Sequence, residues 1–111
     1  MPFIEASQLP VKQPRPGWLG RFFHSQHMTF AYYEIQPGAG VHLHRHPNEE
    51  VWHVIEGEVE MVVGDDTRVV HGGEAAVVPA DAEHSASTNQ LCRAIVVDFP
   101  VRAEVGGVDI R

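Results

Sequence analysis

Pro37–Gly57 reads P-G-A-G-V-H-L-H-R-H-P-N-E-E-V-W-H-V-I-E-G and holds four of the chain's eight histidines. In an extended strand, side chains alternate between faces. Val41–His46, read as a strand, therefore directs His42, His44 and His46 to one side. Alternate residues lie ~6.6 Å apart, which lets two imidazoles lean onto one cation at roughly 2.0–2.2 Å. Pro47-Asn48 then reverses the chain, and a strand over Glu50–Ile55 presents Glu50, Trp52 and Val54 on one face. Glu50 thereby reaches the same point as His44 and His46. Two histidines and one carboxylate with open positions suit non-haem iron.

A second segment, Gly72–His84, reads G-G-E-A-A-V-V-P-A-D-A-E-H. It supplies a histidine after an apolar strand and a proline turn, and in a closed barrel His84 is the natural fourth ligand. Further strands are expected at Arg21–His24, His27–Ile35, Glu58–Val63, Thr67–Val70, Ala75–Val78, Ser85–Thr88 and Arg93–Phe99. Turns fall at Ser25-Gln26, Pro37-Gly38, Pro47-Asn48, Gly64-Asp65-Asp66 and Gly72-Gly73. No window of about 11 residues or more sustains a helical period, so the class is all-β, a sandwich or a small closed barrel. Pro2–Gly17, with four prolines, reads as an extended arm. Residues 18–103 form the single domain, and Glu104–Arg111, with Gly106-Gly107, reads as a loose tail.

Bulk properties narrow the function. A chain of 111 residues is one domain. Its formal net charge of -7 and its scattered arginines argue against nucleic acid as a partner. No wholly apolar run exceeds four residues, against the ~20 that a membrane helix needs. The N-terminus shows no basic, then apolar, secretory pattern. The single Cys92 excludes an intrachain disulfide and fits a reducing, cytoplasmic setting.

The two histidine segments resemble the two motifs of the cupin superfamily. In the first, Gly38, His44, His46, Glu50 and Gly57 are separated by five, one, three and six residues, and every fixed residue and gap fits. In the second, Gly73 is followed after five residues by Pro79 and then by His84 at the expected distance. Asp81 stands where that motif has glycine, and Asn89 falls one residue later than its asparagine. The resemblance covers residues 38–89. It implies a small jelly-roll-like β-barrel, the double-stranded β-helix. It also implies a divalent transition metal (Fe, Mn, Ni, Co, Cu or Zn) held by His44, His46, Glu50 and His84. Small single-domain cupins are commonly homodimers, so a second copy is an expected partner beside a small-molecule substrate.

His42 and Asp98 are the candidate acid/base groups. Trp52, Phe30 and Tyr32 are the candidate pocket residues, although parity in their strand leaves open whether Phe30 and Tyr32 or Tyr33 face inward. His53 points away from Glu50 and reads as a core or interface residue, whereas His24, His27 and His71 read as surface. Glu56, Glu58 and Glu60 form a solvated ridge, and Arg45 faces outward. Arg21 and Arg93 are candidates for a substrate carboxylate if they face the barrel mouth. Cys92 has no base beside it and is not a candidate nucleophile.

The expected function is a metalloenzyme acting on a small polar or chelating substrate, either a dioxygenase or a redox-neutral isomerase or lyase of sugars or sugar acids. The alternative is a non-catalytic small-molecule or metal-binding module. The layout is similar to small cupins of pectin degradation that linearise unsaturated uronates. Those carry Gln where this chain has Glu50, and an Asp and a Phe two residues apart where Asp98 and Phe99 are adjacent here. The motifs speak strongly for the fold and weakly for the reaction.

Overall fold

Runs of β-branched and aromatic residues, cut at short intervals by Gly, Pro, Asn and Asp, favour short antiparallel ladders over helices. The computed structural model describes residues 2–111 and bears this out. Its strands are β1 (Lys12–Arg15), β2 (Trp18–His24), β3 (Thr29–Ile35), β4 (Gly40–His44), β5 (Glu49–Glu56) and β6 (Glu58–Val63). They continue with β7 (Asp66–His71), β8 (Ala75–Val78), β9 (His84–Ser87), β10 (Cys92–Phe99), β11 (Glu104–Val105) and β12 (Val108–Asp109). One 3-10 turn, Ala6–Gln8, precedes them. Among the described residues, no helix is long and apolar enough to cross a membrane.

The ladders run in a six-stranded sheet, β1-β2-β3-β10-β5-β8, and a four-stranded sheet, β4-β9-β6-β7, with β11-β12 as a separate hairpin. The two large sheets share one core. Ile35, Trp52, Val54, Ala94 and Val96 from the first meet Val59, Met61, Val70 and Ala86 from the second. Strict alternation sets which residues enter: in β3, Thr29, Ala31, Tyr33 and Ile35 are buried, and in β5, Glu50, Trp52 and Val54 are buried. Trp18 anchors the aromatic part of this core, edge-on to Tyr33 at 5.3 Å and to Trp52 at 5.9 Å between centroids.

The turns follow the sequence signals. Gly64 opens the two-residue link between Val63 and Asp66 with φ +59°, a conformation that glycine adopts without steric cost. Gly57, the last fixed residue of the first motif, has φ +80°, and a Cβ there would collide with the Leu91 carbonyl oxygen. Asp81, the substitute for the second motif's glycine, itself adopts φ +63°. Aspartate tolerates this left-handed region better than most residues, so the turn keeps its shape. Its N–H then donates to the His46 carbonyl at 2.9 Å, which ties the two motifs together.

Two regions differ from expectation. The Pro-rich arm is not merely extended: β1 pairs antiparallel with β2, Arg15 opposite Trp18. The tail is not loose, since Val105 and Ile110 are buried in the core. Nε2 of His24, expected on the surface, lies 3.0 Å from the Ile110 carbonyl and its Nδ1 lies 2.8 Å from Thr29 Oγ1, which pins the tail to the domain.

Candidate metal centre

Strand register brings the expected ligands together. His84, at the start of β9, stands opposite His44 of β4 and Val63 of β6. On the other sheet, Glu50 of β5 stands opposite Asp98 of β10. His46 lies just beyond β4, in the turn that leads to Glu50. Ring centroids of His44 and His84 are 4.2 Å apart, and those of His46 and His84 are 4.8 Å apart. His44, His46 and His84 form one compact donor group, and His46, Glu50 and Asp98 form a second that shares His46. Glu50 joins the two, with Oε2 3.0 Å from His46 Nε2 and Oε1 3.9 Å from His84 Nε2.

The backbone decides which histidine nitrogen faces inward. Nδ1 of His44 lies 2.8 Å from the His42 carbonyl, that of His46 3.1 Å from the Asn48 carbonyl, and that of His84 2.9 Å from the Ala82 carbonyl. A carbonyl only accepts, so each Nδ1 carries a proton and, in the neutral ring, each Nε2 presents a lone pair. Such fixing of the outer nitrogen is how metal-binding imidazoles are oriented. Nε2 of His46 and of His84 are buried with no hydrogen-bond partner. The contact between His46 Nε2 and Glu50 Oε2 sets a lone pair against a carboxylate oxygen, which is unfavourable unless a cation or proton lies between them.

The carboxylates are held by groups around them. Trp52 Nε1–H donates to Glu50 Oε1 at 2.6 Å, and Arg102 donates to Glu50 Oε2 at 3.3 Å. Burial alone would push the Glu50 carboxyl up, but a positive charge held between it and His46, with the contacts of Asp98 and Trp52, outweighs burial and holds it below its ordinary value. Burial and then the Glu50 charge push Asp98 well above the ordinary carboxylate range, against a weaker pull from Arg102 3.7 Å away. Burial also lowers the His44 pKa, which favours the neutral imidazole that a metal requires. A narrow cavity of about 30 Å³ adjoins these groups, and its walls include Arg15, Trp18, Tyr33, His44 and Asp98.

Other candidates stand outside the donor group. The His42 ring is exposed, beside His44 with 6.1 Å between centroids, and the β4 bulge between Val41 and His44 keeps it out of the buried cluster. Its carbonyl, not its ring, serves the site. Phe30 and Tyr32 lie on the opposite face of β3, where both pack beside Phe23, and Tyr33 takes the cavity side. Trp52 lines the cavity as expected. Arg21 donates to the carbonyls of Ala6, Ser7 and Leu9, and Arg93 pairs with Glu34 and Glu56, so neither reaches the centre. His53 is exposed on the outer face and not in the core. Sequence reasoning missed Arg15 and Arg102. Each lies in a segment without strong periodicity, and the one available signal was a basic residue shortly after the strand that ends in Asp98-Phe99.

The comparisons with known proteins agree with this geometry. A sequence model described as Cupin domain matches residues 31–98. The fold superposes on an RmlC-like cupin from Shewanella frigidimarina NCIMB 400 with a TM-score of 0.86 at 21% identity, over 92% of this chain and 93% of that one. KdgF from Halomonas sp. gives 0.84 at 20% identity, over 90% of this chain and 95% of that one. Oxalate decarboxylase from Bacillus subtilis gives 0.77 at 18% identity, over 87% of this chain but only 29% of the longer protein. At these identities the likeness is one of fold. No curated protein sequence matches the chain.

Proposed function

This chain belongs to the cupin domain family, and from that premise we propose that it is a divalent-metal-dependent enzyme acting on a small polar or chelating organic molecule. The observation that carries the reading is the orientation of the three imidazoles. Their Nδ1 atoms are tied to carbonyls, and two of the inward Nε2 atoms are buried without a partner beside the Glu50 carboxylate. Leaving such an acceptor unmet costs about 1–3 kcal/mol, a penalty that a cation held by His44, His46, Glu50 and His84 removes. A divalent ion there supplies Lewis-acid polarisation of a substrate oxygen or a water of lowered pKa.

The chain's own residues do the remaining work. Trp52 and Arg102 fix the two oxygens of Glu50. Asp98 borders the cavity and its Oδ1 is buried without a hydrogen-bond partner, so it is the group placed to carry a proton to or from the substrate. His42, with its exposed ring, is not assigned that role. A proton-transfer carboxyl beside the centre favours a redox-neutral isomerase or lyase over a dioxygenase. A second copy of the chain is the proposed partner on the outer face of the six-stranded sheet. There an apolar groove of about 490 Å³ is flanked by exposed Tyr32 and Ile55, and Arg93 is neutralised by Glu34 and Glu56. Sedimentation equilibrium tests it: a dimer is expected, and a monomer at micromolar concentration removes it.

The reaction class is tested by reconstituting untagged protein with single metals and assaying two panels. Loss of unsaturated-uronate absorbance without oxygen use supports the isomerase or lyase. Oxygen uptake with diketones, catechols or thiols would select the dioxygenase. Stoichiometric metal with turnover in neither panel would favour a binding module.

A further inference from the structure

We infer that Arg15, on the N-terminal strand β1, anchors a carboxylate group of the molecule that enters the cavity, with the Nε1–H of Trp18 as a second donor. The inference deepens the metal-centre reading and rests on it for the far end of the cavity, but it is carried by different residues. The Arg15 side chain is half-buried and borders the same cavity as His44, Glu50 and His84. The other six arginines each have a carboxylate or carbonyl partner. Arg15 alone makes no ion pair and no side-chain hydrogen bond among the described residues.

Burial lowers the Arg15 pKa, and the neighbouring Arg102 charge adds to this while Tyr33 and Glu50 act against it. Glu50 and Asp98, the carboxylates that border the cavity, are already paired with Arg102, and neither forms an ion pair with Arg15. Trp18 is 3% exposed, borders the cavity, and its Nε1 is buried without a hydrogen-bond partner. Two donors in one wall, one half-buried and one buried, thus have no protein acceptor among the described residues.

Charge and space define the missing group. With a divalent ion in place, the ion and the Arg15 and Arg102 guanidiniums outweigh the charge of Glu50 and Asp98 whether or not Asp98 holds its proton, so the cavity keeps an excess of positive charge. The cavity of about 30 Å³ has room for about one water-sized group, so only the tip of a bound molecule would enter it and the rest would lie at its mouth. A carboxylate matches the guanidinium fork in a bidentate pair and suits this space better than a tetrahedral phosphate. The anchor is also held in place. Gly106, at φ +55°, approaches so closely that a Cβ there would lie 2.5 Å from the Pro14 carbonyl oxygen and 3.2 Å from Arg15 Cγ. The β11–β12 hairpin therefore clamps the Arg15 stem, which is the preorganisation that lets a salt bridge contribute to affinity.

Calorimetric titration tests the assignment with malonate, malonamide and inorganic phosphate, on zinc-loaded and metal-free protein. Malonate should bind in preference to malonamide and to phosphate. Arg15→Gln should weaken malonate binding by about tenfold or more, in line with loss of a charged hydrogen bond, while metal content and melting temperature stay at the parent values. Arg15→Lys should recover part of the loss, and Trp18→Phe should cause a smaller one. The Arg15 dependence is expected in the metal-free protein too, so failure of the metal reading shows as absent zinc uptake and is scored separately. Equal malonate affinity in the parent and Arg15→Gln, in either form, would overturn the anchor. Preference for phosphate would overturn the carboxylate class.

Discussion

Replacing Trp52 by Phe removes one atom group whose role the structure defines closely. The indole Nε1–H donates to Glu50 Oε1 at 2.6 Å, in a buried setting. The ring also fills the core between the sheets, edge-on to Trp18. A hydrogen bond to a charged acceptor contributes about 1.5–3 kcal/mol, and the smaller phenyl ring adds a cavity term. Unfolding entropy of about 2.1 cal/mol/K per residue over 111 residues gives about 0.23 kcal/mol/K. The hydrogen bond alone then corresponds to a fall in Tm of about 6–13 °C. Because the lost donor orients a metal-binding carboxylate, metal affinity should also fall by about 10–100-fold. Thermal unfolding of the metal-free protein and competition with a chromophoric chelator measure the two effects. Ile35→Val, a fully buried change that spares the site, should cost about 0.5–1.5 kcal/mol and leave metal affinity alone. If Trp52→Phe behaved like that control, losing stability with unchanged metal affinity, the indole would not be what holds Glu50 in position.

Further outcomes follow from the fold at Cys92, the tail and Gly57. Cys92 is fully buried, and burial pushes its thiol up from 9.0 to about 11. Native protein at pH 8 should therefore resist a disulfide reagent that labels the guanidinium-unfolded chain at once, and fast native labelling would contradict the burial. Because the folded state holds this proton longer than the unfolded chain, stability should decline as pH rises from about 9 towards 11, and less so in Cys92→Ala. Deleting residues 104–111 exposes the core under Val105 and Ile110, and at about 1.5–3 kcal/mol per aliphatic side chain urea unfolding should show a loss of about 3–6 kcal/mol. A truncated chain as stable as the parent would show the tail to be dispensable. Gly57→Ala places a methyl against the Leu91 carbonyl at positive φ, and should cost at least about 2 kcal/mol; a neutral result would refute the stated reason for glycine there.

Much of the site was legible because metal ligation imposes fixed spacings. His44, His46 and Glu50 sit on a strand end, a turn and a returning strand, where a short-range pattern determines position. The bounds of β6 and β8 were also legible from their apolar runs. His42 lies beside His44 but exposed, because counting by twos assumes an unbroken ladder and the bulge after Val41 inserts an extra residue. Phe30 and Tyr32 were misplaced for a different reason. Both faces of β3 carry aromatic residues, so alternation gives two sets but not which one is buried. The arm and tail contribute through single residues (Arg15, Val105, Ile110) on or beside very short strands, too brief for any periodic signal. Asp81 shows the converse case: it departs from the motif's residue and keeps the motif's backbone conformation.

The central claim is that His44, His46, Glu50 and His84 hold a divalent ion. Its most direct test is metal stoichiometry by mass spectrometry in untagged parent, His46→Ala and His53→Ala proteins after identical reconstitution, with circular dichroism confirming that each is folded. His46 presents a buried, unpartnered Nε2 to the centre, whereas His53 is exposed on the far face of the same sheet as Glu50. The account predicts about one ion per chain in the parent and in His53→Ala, and none in folded His46→Ala. A parent protein that takes up no metal, or His46→Ala with undiminished stoichiometry, would contradict it.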